Sequence, residues 1–464
     1  MIQFFIGKHL LTLGRKTKTM KKKSTLALVI SLIMLVSLAL ASCAGQPTTP
    51  AGDEGTKPAE GGVENPDADK ELTPEELANH EIYKHLGDNA LLGLIPPVLT
   101  DRTDINKALP VEQKKDVKVG WSEAAMVSPW FAGIKQGADQ YAAEYGYDLI
   151  FTDAVAWDVN KQTADIENLI TQSIDILVID PVDVQAQAVD IDKCIAAGIP
   201  VISLYPLPDS YPIITAVTAN YFEVSYAAGL HAATLFDEPI SAVFIAGQVG
   251  HPIADSRTCG FMAGWAYGKQ LKDGTAKPYR EDALLAGYNA FNDLVKNGNV
   301  DMAEFGLKVE GIGNGNFDDA GGQAAAEDLL TAHPDVQMVF ADNDHQCAGA
   351  IKVLEQRGML DKVKVVTGCD ADMAMLDLVK EGKLESTGYN NPIAITKAVF
   401  ELINMIYEQG YDANNMPAVS DFYYELYTKD NWESVYEAGT EYGKVFDTVF
   451  ETIPELNAKA ERAS

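Results

Sequence analysis

The sequence predicts an α/β protein built as two similar lobes, each on a parallel sheet. From residue 116 onward, short apolar runs alternate with helical stretches of roughly ten to fifteen residues, the mark of right-handed βαβ units. The apolar runs are continuous, as in Ile176-Leu177-Val178-Ile179, which fits a sheet covered by helices on both faces. The same pattern then restarts beyond residue 219, which gives the second lobe.

In the first lobe, Val117 to Trp121 reads as a strand. Phe131, Ile134, Ala138, Tyr141 and Tyr145 then share one helical face, and Gly146 stops the helix. Asp148 to Thr152 is the next strand, and Ile166, Leu169 and Ile170 mark a second helix. After the strand at 176–179, a helix through Val189 and Ile195 ends at Gly198, and Pro200 to Leu204 forms another strand. In the second lobe, Ala242–Ala246, Leu307–Gly311, Val336–Ala341, Val363–Thr367 and Leu384–Tyr389 read as strands. Helices fall between them at 255–271, 318–332, 345–357 and 371–382. Residues 273–306 exceed a simple connection and predict an extra helix near 281–296. The acidic tail, 432–464, reads as helical, with Trp432, Tyr436, Tyr442, Phe446 and Phe450 docking it on the lobes.

Ahead of the lobes, Met20 is the expected start, followed by Lys21-Lys22-Lys23 and an apolar run from Leu26 to Ala41. A basic segment, an apolar core and small residues before a cut form a secretory signal, here 1–42. The run is short for a membrane span of about 20 residues. It ends in Leu40-Ala41-Ser42-Cys43, which resembles the lipobox of bacterial lipoproteins. That resemblance implies an acylated Cys43 and a protein held outside the cytoplasm on the cell membrane, at the cell surface or in the periplasm. Within 43–115, residues 44–70 have almost no large apolar side chains and read as a flexible tether. Residues 73–93 read as a short helical segment and 94–115 as a proline-containing connector.

The chain holds 36 Lys+Arg against 67 Asp+Glu. Seven of the basic residues precede residue 43, so the remainder carries 29 basic and 67 acidic residues, a net charge of −38. Such a surface repels phosphate backbones, which argues against nucleic acid as a partner. Beyond Cys43 lie Cys194, Cys259, Cys347 and Cys369. No C-x-x-C spacing occurs, so zinc-ribbon and thioredoxin-type chemistry is excluded. Cys194 and Cys347 fall on apolar helix faces as small core residues. A Cys347–Cys369 disulfide stays open, because pairing cannot be read from sequence.

Several short stretches of 116–431 carry a family likeness. Ser128-Pro129-Trp130-Phe131 follows the first strand, Asp180-Pro181-Val182-Asp183 the third, and Gly198-Ile199-Pro200-Val201 precedes the fourth. Ala341-Asp342-Asn343-Asp344, Val365-Val366-Thr367-Gly368-Cys369-Asp370, Asn390-Asn391-Pro392 and Tyr427-Thr428-Lys429-Asp430-Asn431 follow in order. In this series the chain resembles the type I periplasmic binding proteins, the ribose/galactose class of sugar-binding proteins from ABC transporters. The resemblance implies two Rossmann-like lobes joined by a multi-strand hinge, with the ligand cleft between them. It places the N-terminal lobe at 116–218 plus 391–420, the C-terminal lobe at 219–390 plus 421–431, and a helical extension at 432–464. It further implies a monomer that delivers a monosaccharide to a permease driven by cytoplasmic ATPases, with no reaction catalysed.

Sugar chemistry selects the candidate site residues. Hydroxyls that donate and accept favour planar Asp, Asn and Arg groups, and the C–H faces of a sugar pack on aromatic rings. The candidates are Ser128, Trp130, Phe131, Tyr205, His251, Arg257, Phe317, Asn343, Asp370 and Asn390. Each has a plainer alternative: Trp130 as a core aromatic, Arg257 paired with Asp255, Asn343 and Asp370 as helix N-caps. His251 and His345 suit supporting positions better than direct contact. One departure stands out, for Tyr205-Pro206 occupies the position where the ribose class has Asp-Arg. That leaves a nucleoside or a small signalling molecule as the alternative ligand. No calcium loop is present, so neither metal nor cofactor is expected. Enzyme motifs are equally absent: there is no G-x-S-x-G, H-E-x-x-H or P-loop, and Gly311-Ile312-Gly313-Asn314-Gly315 is only a partial dinucleotide loop.

Overall fold

The computed structural model describes residues 79–94, 102 and 106–456, apart from 156, 206, 208–210, 278–279, 422–424 and 448–449. The leader, Cys43, the 44–70 tether and Pro206 lie outside the described residues.

The first lobe opens on β1 (Lys118–Glu123), followed by α1 (Pro129–Tyr145), β2 (Asp148–Asp153), α2 (Val159–Thr171), β3 (Ile176–Ile179), α3 (Val184–Ala196), β4 (Val201–Ser203) and β5 (Ala216–Thr218). The strands are parallel, with Trp121 of β1 in register between Phe151 and Val178. Local chemistry sets the helix ends. Asp158 and Asp183 cap α2 and α3 by accepting backbone N–H groups, which satisfies donors that a helix start leaves free. Pro129 sits in the first turn of α1, and Gly146 closes that helix at φ 73, a conformation glycine adopts without steric cost.

Crossing over, α4 (Tyr221–Thr234) leads to β6 (Ile240–Ala246), α5 (Pro252–Asp273), α6 (Glu281–Asn297), β7 (Val300–Met302), β8 (Leu307–Asn314), α7 (Asp319–Ala332), β9 (Met338–Ala341), α8 (Asp344–Arg357), β10 (Lys364–Val366), α9 (Met373–Glu381) and β11 (Ser386–Gly388). The second sheet has the order β10-β9-β6-β8-β7, parallel except for the antiparallel edge strand β7. The chain then returns through α10 (Pro392–Tyr407), which packs on α1. Next, β12 (Val419–Asp421) completes the first sheet, in the order β12-β5-β4-β3-β1-β2. Finally, β13 (Leu426–Thr428) pairs antiparallel with β11. Three crossings, at 218–221, 388–392 and 421–426, therefore join the lobes.

The structure corrects two predicted helices. The described part of 73–93 forms two short 3-10 turns, Glu81–His85 and Asn89–Leu91, separated by Gly87 at φ 101. The tail is not a long helix either. After a turn at Trp432–Ser434 its described residues run irregularly, with a helical turn among them at 453–456. Gly439 and Gly443, both at positive φ, interrupt any continuous helix, and Tyr442, Phe446 and Phe450 pack singly on the first lobe's core. Strands β5, β7 and β12 escaped sequence reading because three residues are too few to show a period. The four described cysteines, Cys194, Cys259, Cys347 and Cys369, are buried free thiols.

Helices α4 and α5 cross backbone to backbone in the second lobe. A Cβ on Gly264 would lie 1.9 Å from the Tyr226 carbonyl oxygen, and one on Gly229 would lie 2.0 Å from that of Phe261. Backbone on both sides leaves no side chain free to yield. Gly264→Ala is expected to lower the unfolding free energy by about 1–3 kcal/mol in urea titration, the range for overpacking. An unchanged midpoint would mean that the two helices can separate at no cost.

Candidate functional site

Ligands of open parallel sheets bind beyond the carboxyl ends of the strands. All ten sequence candidates line one cavity there. Ser128, Trp130, Phe131 and Tyr205 come from the first lobe, and His251, Arg257, Phe317, Asn343 and Asp370 from the second. Asn390 comes from the crossing between them. The structure adds Trp157, Asp180, Pro181, Leu204, Tyr221, Ile253 and His345 to the same lining.

Arg257 lies in the first half of α5 and is only 4% exposed. Its guanidinium stacks over the Tyr221 ring at 4.5 Å, and its Nη2 stands 3.6 Å from Asp370 Oδ1. Asn390 Nδ2 donates to that same Asp370 oxygen at 2.8 Å, while Trp130 Nε1 donates to the Asn390 carbonyl at 3.0 Å. One connected set therefore joins both lobes and the hinge.

The plainer alternatives can now be settled one at a time. Asp255 accepts the Gly250 N–H at 3.0 Å, and Arg257 pairs instead with Asp370. The helix α9 is capped by Asp372, which leaves Asp370 facing the cavity. Asn343 does cap α8, in a capping box with Gln346, and its Nδ2 donates to the Phe317 carbonyl at 3.3 Å. Trp130 is half-buried at the cavity wall. Ser128 occupies the N-cap position of α1 but makes no capping bond with its hydroxyl.

Aromatic rings line the cavity from both sides. Trp130 meets Phe131 edge-on at 5.2 Å between ring centres, and Phe131 meets Trp157 at 5.6 Å. Across the cleft, His251 lies 6.3 Å from Trp157, 6.3 Å from Tyr205 and 5.2 Å from Phe317. Trp157 (φ 67), Phe317 (φ 57) and Ala371 (φ 59) are non-glycine residues in the left-handed region. Such strain costs on the order of 1–3 kcal/mol per residue and collects where surrounding structure must aim a side chain.

Burial governs the protonation of the site. It pushes Asp180 up to about 6, Asp255 to about 6 and Asp342 to about 7, the last against the pull of Arg257. Glu123, fully buried beside Asp180, is raised well above the usual carboxyl range by burial and by that neighbour. His251 is pushed down to about 4 by burial and by Arg257, so it is neutral at physiological pH. Four buried polar atoms of the lining have no partner: Tyr205 Oη, His251 Nδ1, Arg257 Nε and Asn390 Oδ1.

Sequence reasoning passed over Trp157, Tyr221 and the Asp180 side chain. Each stands just after a strand or a crossing, so the strand-end rule applied to every loop would have found them. No group of three metal-ligating side chains gathers among the described residues.

Comparison with known proteins gives a consistent picture. The family model for the periplasmic binding protein domain matches residues 119–410. The ribose import binding protein of Bacillus subtilis is 27% identical over 288 residues, covering 62% of this chain and 81% of that protein. Its counterpart in Escherichia coli is 28% identical over 260 residues, covering 56% and 74%. An ABC transporter solute-binding protein from Mycobacterium smegmatis, solved with glycerol, superposes with a TM-score of 0.58 at 24% identity, covering 71% of this chain and all of that one. That likeness shows the fold. A solute-binding protein from Bacillus halodurans, solved with myo-inositol, gives 0.55 at 25% identity, covering 69% and 98%.

The raised carboxyls make stability depend on pH. Asp180, Asp255 and Asp342 hold their protons more tightly folded than unfolded, where a carboxyl titrates near ~4. Their stabilising contribution is full below ~4 and is lost as pH rises through the folded values of about 6 and 7. His251 acts in the opposite sense, and only below its unfolded value near ~6.5. The ligand-free protein should therefore melt higher at pH 6.5 than at pH 8. Asp342→Asn should flatten that rise in differential scanning calorimetry, and a flat wild-type profile would contradict the assignment.

Proposed function

The chain belongs to the periplasmic binding protein family, and from that premise we propose that it captures a monosaccharide, hexose or pentose, and delivers it to an ABC importer. The work takes place outside the cytoplasm, by binding and release, with no bond made or broken. The observation that carries this reading is the set of unpartnered polar atoms on Tyr205, His251, Arg257 and Asn390, four residues that line a cavity walled by aromatic rings. A buried polar atom left without a partner costs about 1–3 kcal/mol, and sugar hydroxyls, which both donate and accept, suit all four.

The roles divide by side-chain chemistry. Trp130, Phe131 and Phe317 pack on the apolar faces of the sugar. Arg257, Asp370, Asn343 and Asn390 bind hydroxyls, with Ser128, Tyr205 and His251 completing the shell. The ligand touches both lobes, so it makes more contacts when the cleft is closed, and binding shifts the population toward that form. The first lobe is taken as 116–218 plus 391–420 and the second as 219–390 plus 421–431. A signal peptide over 1–42 and an acylated Cys43 would hold the protein, as a monomer, at the membrane beside its permease and the cytoplasmic ATPases. Mass spectrometry of the N-terminal peptide tests the lipid.

Titration calorimetry with pentoses, hexoses, inositols and nucleosides tests the ligand class. One monosaccharide should bind, and Trp130→Ala and Asp370→Ala should each weaken it more than about tenfold, or about 1.4 kcal/mol, with the fold retained. Wild-type affinity in both variants would sink the site assignment. Binding of nucleosides alone would keep the transport role and replace the sugar.

A further inference from the structure

The first lobe's side of the cavity holds an acid pair with no cation to match it. Glu123 ends β1, and Asp180 follows β3. The two strands pair in register at Ser122 and Ile179, so the next residue on each places the two carboxyl groups side by side. Glu123 is fully buried and accepts the Trp121 indole N–H at 3.0 Å and the Ala124 N–H at 3.3 Å. Asp180 is 9% exposed, and what it exposes lines the cavity. The groups packed around Asp180 are neutral. Gln162 of α2 spends its amide on the Asp180 backbone carbonyl, while Tyr205, after β4, and Tyr221 of α4 are phenols held neutral by burial. Among the described residues, no Lys, Arg or His forms an ion pair with either carboxyl, and the arginine of the cavity, Arg257, pairs with Asp370.

Charge bookkeeping around the cavity then leaves a remainder. Arg257 has its own counter-ion in Asp370, and Asp342 adds a further acid beside it. Glu123 and Asp180 can share one proton, which removes their mutual repulsion but leaves one negative charge. After the fourth strand this chain has Tyr205-Pro206, neither of which carries a charge at neutral pH. Burying an unmatched charge is costly, and an ammonium group beside it cancels the cost. The rings of Trp130, Phe131 and Trp157 add faces that attract a cation.

We propose that the ligand of this cavity is a monosaccharide bearing a protonated amine, an amino sugar, and that Asp180 receives the ammonium while Glu123 positions it. The proposal rests on the reading of the cavity as a sugar site. Glu123 donates its proton toward Asp180, which fixes Asp180 as an acceptor only. A neutral sugar can still use the remaining contacts, but it leaves the charge of the pair unanswered.

The test is calorimetry at pH 7 on the full chain in detergent, with glucosamine, galactosamine and mannosamine. Each is compared with its parent sugar and with its N-acetyl form, which keeps the ring and loses the charge. At least one amino sugar should bind about tenfold or more tighter than both comparison sugars, and that preference should shrink as salt is raised. Asp180→Asn should abolish the preference, bringing the amino sugar's affinity down to that of its N-acetyl form. Circular dichroism confirms the fold, and the N-acetyl comparison on the wild-type chain needs no variant. Parent sugars binding as tightly as all three amino sugars would overturn the amine proposal and leave the sugar reading intact. Binding by none of the nine sugars, with a nucleoside binding instead, would overturn both.

Discussion

A guanidinium buried between two lobes keeps its charge and must have that charge answered, and Arg257 imposes this constraint on the cleft. An isolated charge in a protein interior costs several kcal/mol even after relaxation. The answer comes from separate parts of the chain: the Tyr221 ring from α4, Asp370 from the loop after β10, and Asn390, which steadies Asp370, from the second crossing. Trp130 then ties α1 to the backbone of that crossing. The residues that neutralise the arginine therefore also fix the geometry in which two lobes and a hinge meet. What they leave unused, the Arg257 Nε and the Asn390 Oδ1, marks where a polar ligand completes the network.

Much of this architecture could be read from the sequence because its signals are local. Ile176 to Ile179 is apolar throughout and becomes a strand buried on both faces. Gly146 and Asp158 mark helix boundaries through chemistry that acts within one turn. Trp130, Tyr205, Asn343, Asp370 and Asn390 came from the same source, since a strand end in a parallel sheet fixes which side of the lobe a residue occupies, whereas Arg257 and Phe317 came from the family resemblance. Three-residue strands such as β12 arise only because a neighbouring strand is waiting for them, so no local pattern announces them. The aromatic spacing of the tail imitated a helix until Gly439 and Gly443 took positive φ. Glu123 was hidden for another reason: in a chain with 67 acidic residues, one more at a strand end carries no signal until its burial is seen.

The cavity concentrates features that a fold selected for stability alone would avoid. Trp157, Phe317 and Ala371 hold left-handed backbone, four carboxyls sit in low dielectric, and four polar atoms of the lining lack partners. Each is unfavourable in the ligand-free protein, and the unpartnered polar atoms become less so once a ligand's hydroxyls meet them. That difference is the free energy available to drive closure, because a ligand shifts an equilibrium only by as much as it prefers one state. The cost is carried by the two lobe cores, where Trp121 and Trp265 are fully enclosed.

The tail supports the same elements. Tyr442 donates its hydroxyl to the Pro129 carbonyl at 2.8 Å, one residue before Trp130, and its own carbonyl accepts from Asn391. Tyr389, beside Asn390, donates to the Lys444 carbonyl at 2.7 Å. At its start, Trp432 and Tyr436 lie under the Lys380 ammonium of α9, in the second lobe. These contacts run from the second lobe across the crossing to the N-terminus of α1. The tail thus buttresses, from outside, the residues that the arginine network holds from within. An acidic, irregular segment without a helix of its own stays ordered because the hinge supplies its hydrogen-bond partners. A segment so placed bears on how far the lobes can part, since opening the cleft must strain either the Tyr442–Pro129 bond or the packing of Trp432 on α9.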